Sequence, residues 1–220
     1  MKIVIACSKK WFEVDKQIIE QNDVLILSEK EDLTLSVLSD FKPDFIFFPH
    51  WNWIVSAEIH KNYECVVFHT APLPYGRGGS PIQNLILENF SSSPVCALKM
   101  TSELDAGPIY AKKNISLDGS LTEIFERINQ ASNELIIEVI SNLPEPVAQK
   151  GEVHLFKRLN ENDNVLPSGL SLMEIFNRIR MLDDPSYPSA FLEVNDLRIE
   201  FFSARLLEEE IDAYCRISKC

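Results

Sequence analysis

The stretch CVVFHTAPLPYGRGGSP, residues 65–81, decides how the chain is read. Cys65 to Phe68 is a short run suited to a buried strand. It delivers His69 to a segment holding Pro72, Pro74, Gly76, Gly78, Gly79 and Pro81, which can neither extend a strand nor wind into a helix. His69 therefore sits where a strand ends and a loop opens. In open α/β sheets the carboxyl ends of strands are where ligands bind, so a titratable side chain there is well placed for chemistry. A second tight loop, LDAGPIY at 104–110, carries Asp105 ahead of Gly107 and Pro108. A carboxylate and an imidazole on two such loops suit a base and its orienting partner, although both residue types are also common structural residues in such turns.

Outward from this stretch the chain alternates strand and helix signals. Ile3 to Ala6, Val24 to Leu27 and Asp44 to Phe48 read as buried strands. Trp11 to Gln21, with Phe12, Ile18 and Ile19 inward, and Glu31 to Leu38 read as the helices between them. Such alternation implies an α/β fold with a mostly parallel sheet and right-handed crossovers. The loop Cys7-Ser8-Lys9-Lys10 lacks the GxGxxG that cradles a dinucleotide pyrophosphate, which argues against a nicotinamide cofactor. In PHWNWIV, residues 49–55, two readings stand for Trp51 and Trp53: core plugs, or a pocket wall for a flat heterocycle. His50 likewise either faces the cleft or is a buried, satisfied histidine.

Downstream, Ser80 and Pro81 open a helix to Asn89, and Pro94–Met100 and Ile109–Ile115 read as strands bracketing the Asp105 loop. Ser120 and Glu123 form a capping box for a helix to about Leu143 whose apolar stripe is core. Pro144 and Pro146 end it and begin a linker in which His154 is a solvated loop residue. This divides the chain into residues 1–150 and a short linker with a truncated β-rich appendage, 151–220. In the latter, Ser171 and Glu174 cap a helix to Met181, and Phe191–Val194 and Leu197–Phe202 form a hairpin around Asn195-Asp196. The hairpin and the Phe201-Phe202 pair fit a homodimer seat and an intramolecular core contact equally well.

At 220 residues and 45% apolar content the chain can bury a sizeable core. Five cysteines without CxxC spacing point to reduced thiols, a cytoplasmic setting and no structural metal. There is no apolar run long enough for a membrane span, and Lys9 and Lys10 cut the N-terminal apolar run short of a signal peptide. The net charge is −12. Residues 1–150 hold 13 Lys/Arg against 20 Asp/Glu, and residues 151–220 hold 8 against 13, so neither part is basic. Gripping nucleic acid needs a positive surface, whereas a small anionic substrate needs only one or two local cations.

The pattern His69-x4-Pro74-x2-Arg77-Gly78-x2-Pro81, followed by Leu104-Asp105-Ala106-Gly107-x-Ile109, resembles the folate-dependent formyltransferases, which act on methionyl-tRNA, glycinamide ribotide or amino sugars. The likeness runs from Met1 to about Val147, and IRMLDDPSYPSAF is similar to the entry to the C-terminal domain of the sugar and tRNA enzymes. It implies a Rossmann-like formyltransferase fold with 10-formyltetrahydrofolate as cosubstrate. It implies His69 for proton transfer, suited by an imidazole's ordinary pKa of about 6.5, and Asp105, hydrogen-bonded to the ring, to fix its tautomer and stabilise the imidazolium. On the folate side it implies Trp53, Ile54, Val55, Thr101, Leu104 and Asp105, and on the amine side Arg77, Gly78 and Gly79, with bracing of the loop an equal reading for Arg77. One position departs: the family's oxyanion-donating Asn, two residues before the histidine, is Val67 here. His50, Asn52, Gln83, a backbone N–H or protonated His69 are the candidate replacements, with His50 preferred as a third catalytic group. The expected reaction is formyl transfer to an amino sugar, nucleotide-linked, for surface glycan synthesis, with no nucleic-acid or membrane partner. A silent folate- or sugar-binding member, a methionyl-tRNA enzyme and a formylfolate hydrolase are the alternatives.

Overall fold

Four apolar runs too short for helices form the centre of the structure, a computed structural model that describes residues 1–220. In chain order the elements are β1 (Lys2–Ala6), α1 (Lys16–Gln21), β2 (Asp23–Leu27), α2 (Leu35–Phe41), β3 (Phe45–Phe48), α3 (Ala57–Asn62), β4 (Cys65–Thr70), β5 (Tyr75–Gly78), α4 (Pro81–Leu87), β6 (Ser92–Lys99) and β7 (Ile109–Ser116). There follow α5 (Leu121–Asn142), β8 (His154–Phe156), α6 (Leu172–Arg180), β9 (Ala190–Val194), β10 (Leu197–Leu206) and β11 (Ile211–Lys219). They pack as two units: Met1–Arg77 with Pro94–Ile115 and Arg127–Leu155, and Gly78–Ser93 with Ser116–Glu126 and Phe156–Cys220.

The first unit is built on a six-stranded sheet of order β2-β1-β3-β4-β6-β7. β1 pairs parallel with β2 and β3, β3 pairs parallel with β4, and β6 runs antiparallel to β4. Ile3, Val4, Ile5, Phe47 and Phe48 are fully buried, which is why these strands read as continuous apolar runs rather than alternating ones. Burying each such side chain contributes about 1.5–3 kcal/mol, so β1 and β3 anchor the sheet. Val4, Ala6, Leu38, Ile46, Phe48 and Ile59 share one core cluster.

Caps shorten two helices relative to the sequence reading. Asp15 accepts from the Gln17 backbone N–H at 2.7 Å, so α1 begins at Lys16 instead of Trp11, and Ile19 lies half exposed while Phe12 and Ile18 are buried. Thr34 caps α2 through Val37, leaving Lys30–Asp32 as a separate 3₁₀ turn.

In the second unit the Ser171–Glu174 capping box is in place on α6. Ser80 precedes α4 with φ of 49°, but its hydroxyl accepts from the Leu159 N–H and caps no helix N–H. Beyond the expected hairpin, β11 adds a third antiparallel strand to β10, with a register irregularity between Phe202 and Arg205. No helix is long and apolar enough to cross a membrane.

Candidate active site

β4 carries Val67 and His69 to its carboxyl end, where His69 pairs with Cys96 of β6 and its side chain is only 7% exposed. Beyond it, Leu73 and Tyr75 donate to the carbonyls of Ala71 and Pro72, and these tight turns fold the chain back on itself. That return brings the Gly76 carbonyl to 2.7 Å from His69 Nε2. A carbonyl only accepts, so Nε2 carries the hydrogen and donates it. In the neutral ring Nδ1 is then the basic nitrogen. Asp105 Oδ2 lies 3.4 Å from Nδ1, with its own side chain 8% exposed. This contact is too long for a strong hydrogen bond, yet close enough to stabilise positive charge on the ring. Of the two tasks expected of Asp105, fixing the tautomer and stabilising an imidazolium, the geometry gives the first to the Gly76 carbonyl and leaves the second to the carboxylate.

Asp105 sits in the left-handed region, φ 52°, in a loop whose close approach to β6 requires glycine: a Cβ on Gly107 would run into the Lys99 carbonyl oxygen. Arg77 donates through Nε and Nη2 to Gln149 Oε1, at 3.0 and 2.9 Å, and through Nη1 to Glu103 at 3.1 Å. Gln149 Nε2 in turn donates to the carbonyls of Asp105 and Gly107, at 2.8 and 2.9 Å. Of the two roles open to Arg77, the geometry supports the brace. Gln149 lies in the linker expected after the long helix, where a lone amide carries no functional signal without the fold. In the second unit, a Cβ on Gly79 would meet the Arg158 Cβ at 2.5 Å, so backbone packing already demands glycine there, and Gly78 is likewise next to Phe156.

His50 follows β3 with φ of 58°, its carbonyl held by the Ser8 N–H and hydroxyl at 3.4 and 2.9 Å. Its ring stands edge-on to Trp11 at 4.4 Å. Burial pushes its pKa down to about 3, helped by the nearby charges of Lys9 and His69. His50 is therefore a neutral imidazole with an N–H to donate across the working pH range. In the unfolded chain the ring has its ordinary value of about 6.5, so between pH 6.5 and 3 the unfolded state binds the extra proton and stability falls as pH falls. At pH 4.5 wild-type stability is expected to have dropped, relative to pH 7, by roughly 2–3 kcal/mol more than that of His50→Gln, as measured by urea titration at both pH values.

Trp51 packs half-buried against the core cluster and edge-on to Phe48, with Trp53 edge-on to it at 4.8 Å, which favours the core reading for Trp51. Val55 leans on the same cluster, whereas Ile54 is 98% exposed. Thr101 donates to the Glu103 carbonyl, and Leu104 is largely exposed. Among the candidate oxyanion donors, Asn52 is exposed and Gln83 is buried on α4 in the second unit. Val67 is half-buried against the core cluster. His154 is exposed as expected but lies in β8 rather than a loop, stacked on Tyr75 at 4.5 Å.

Residues 7–140 match the family model for formyl transferase, and residues 161–218 that for the methionyl-tRNA formyltransferase C-terminal domain. A methionyl-tRNA formyltransferase from Sulfurihydrogenibium sp. is 25% identical over 188 residues, covering 81% of this chain and 60% of its own length. The chain thus spans about 60% of the curated relatives it matches. Among solved structures, methionyl-tRNA formyltransferase from Clostridium thermocellum is 35% identical with a TM-score of 0.94, covering 100% of both chains. HypX from Aquifex aeolicus in complex with tetrahydrofolic acid shares the fold at 19% identity and a TM-score of 0.78, over 92% of this chain and 37% of that one.

Proposed function

Since the chain belongs to the formyl transferase family by its match over residues 7–140, we propose that it moves the formyl group of 10-formyltetrahydrofolate to the primary amine of a small anionic acceptor. The observation that carries this reading is the His69 ring held between the Gly76 carbonyl and the Asp105 carboxylate. As the amine nitrogen bonds to the formyl carbon, His69 Nδ1 takes its proton and Asp105 stabilises the imidazolium so formed. The ring then returns the proton to the departing folate nitrogen as the carbon–nitrogen bond to it breaks. His50, kept neutral by burial and by the charges of Lys9 and His69, is the group we assign to supply an N–H to the oxygen that gains negative charge, in place of an amide at Val67. Trp53, Ile54, Val55, Thr101 and Leu104 line the folate side. The bound tetrahydrofolic acid of the HypX structure supports the cosubstrate class. The chemistry belongs to residues 1–150, with 151–220 as the appendage.

For the acceptor, the −12 charge, shared by both parts of these residues, favours an amino sugar on a nucleotide over tRNA. Lys9 and Lys10 line, with Glu13, an open hollow of about 420 Å³ at the ends of β1 and β2, and are the local cations we assign to such a carrier. A second reading, methionyl-tRNA as acceptor, is favoured by the 35% identity to the Clostridium protein. Supplying 10-formyltetrahydrofolate with initiator methionyl-tRNA or a panel of nucleotide-linked amino sugars, and weighing the products, separates the two. Formylated sugar is the expected result; formylated methionyl-tRNA alone would replace the first reading with the second.

A further inference from the structure

The Gln149 amide is fully used. Its oxygen accepts two hydrogen bonds from the Arg77 fork and its nitrogen donates two, one to each of the Asp105 and Gly107 carbonyls. That is the whole capacity of a carboxamide. Its place is fixed from behind, since Val147, two residues earlier, exchanges both backbone hydrogen bonds with Ile109 at 2.8 Å. Arg77 is itself 9% exposed and reaches the other end of the same loop through Glu103. The loop needs such a tie, because a non-glycine residue at φ 52° is a sparsely populated conformation that persists only when its surroundings impose it.

We propose that Gln149, oriented by Arg77, is the positioning residue that sets the Asp105 carboxylate against His69. An amide is the group this place requires. It joins a donor-only guanidinium to two acceptor-only carbonyls, which a carboxylate or an alkyl group of similar length cannot do. In Gln149→Glu the Arg77 contact survives as an ion pair, but the new carboxylate oxygen faces two carbonyl oxygens and releases the loop. The Asp105 carboxylate then leaves Nδ1 while the sheet beneath is untouched.

The catalytic consequence rests on the formyl-transfer reading; the structural one does not, and the test separates them. The ring ¹⁵N resonances of His69 are measured in the free full-length protein, and kcat and KM in the formyl-transfer assay. In Gln149→Glu the Nδ1 resonance is expected to move to the position it takes in Asp105→Ala. kcat is expected to fall by about 10–100-fold with KM for both substrates within about twofold, the size of effect that misplacing a reacting group by about an ångström produces. Combined with Asp105→Ala, Gln149→Glu is expected to add no further loss. Arg77→Lys, which keeps the charge but loses the fork, is expected to move the resonance in the same direction by a smaller amount, and carries the test if Gln149→Glu does not fold. A wild-type Nδ1 resonance in both variants, or a Gln149→Glu loss that adds in full to that of Asp105→Ala, overturns the proposal. Absence of formyl transfer in the wild type together with a displaced Nδ1 resonance would instead overturn the proposed function and leave the positioning role standing.

Discussion

His69→Ala is expected to lower kcat for formyl transfer by about 10³-fold, within the range that a positioned proton-transfer group contributes. The ring is the one group in the site whose two nitrogens are assigned different tasks, one anchored on the Gly76 carbonyl and the other turned to Asp105. Removing it deletes the base and also leaves the Gly76 carbonyl without its donor. A stability loss of about 1–3 kcal/mol should accompany the variant for that reason, visible as a Tm lowered by several degrees without loss of cooperative unfolding. His69→Gln keeps a donor near Gly76 and is expected to recover stability but not rate. A His69→Ala protein with near-normal kcat would remove the proposed base.

Asp105→Asn is expected to cost about 10²–10³ in kcat with little change in KM. A carboxylate 3.4 Å from Nδ1 interacts with a developing imidazolium by about 5 kcal/mol at an effective dielectric constant of 20; the expected loss corresponds to about 3–4 kcal/mol of this at 1.36 kcal/mol per tenfold, the dipole of the asparagine amide offsetting the rest. The amide preserves the shape of the side chain and removes only the charge. The loop carbonyls keep their ties to Gln149, so the fold should unfold at nearly the wild-type temperature. A loss confined to KM, with kcat intact, would reassign Asp105 from charge stabilisation to substrate binding.

Much of this was legible in the sequence. The apolar runs, the proline- and glycine-rich segment after His69, and the capping boxes each act through short-range physics, so the sheet, the loop openings and the starts of α5 and α6 could be written down residue by residue. Asp15 and Thr34 are cap residues too, and reading them would have placed α1 and α2 correctly. What stayed hidden depends on contacts between segments far apart in sequence or on backbone groups. The Gly76 carbonyl carries no side-chain signature, and its contact with His69 exists only because the intervening turns fold back. Gln149 lies 44 residues from Asp105, in a stretch without regular periodicity. β11 lies past the acidic run Glu208-Glu209-Glu210, beyond the two expected strands of the hairpin, where Ile211 to Lys219 finds a partner in β10. Charge, by contrast, is read directly from the sequence, and it bears on the acceptor more than any single contact does.

The most direct test of formyl transfer through the His69–Asp105 pair is release of tetrahydrofolate from 10-formyltetrahydrofolate, followed with and without an acceptor amine in wild type and in both variants. Release that requires the amine, and that falls by about 10²–10³-fold or more in His69→Ala and Asp105→Asn alike, is the expected result. Release that proceeds equally without the amine, or that is indifferent to both substitutions, would contradict it.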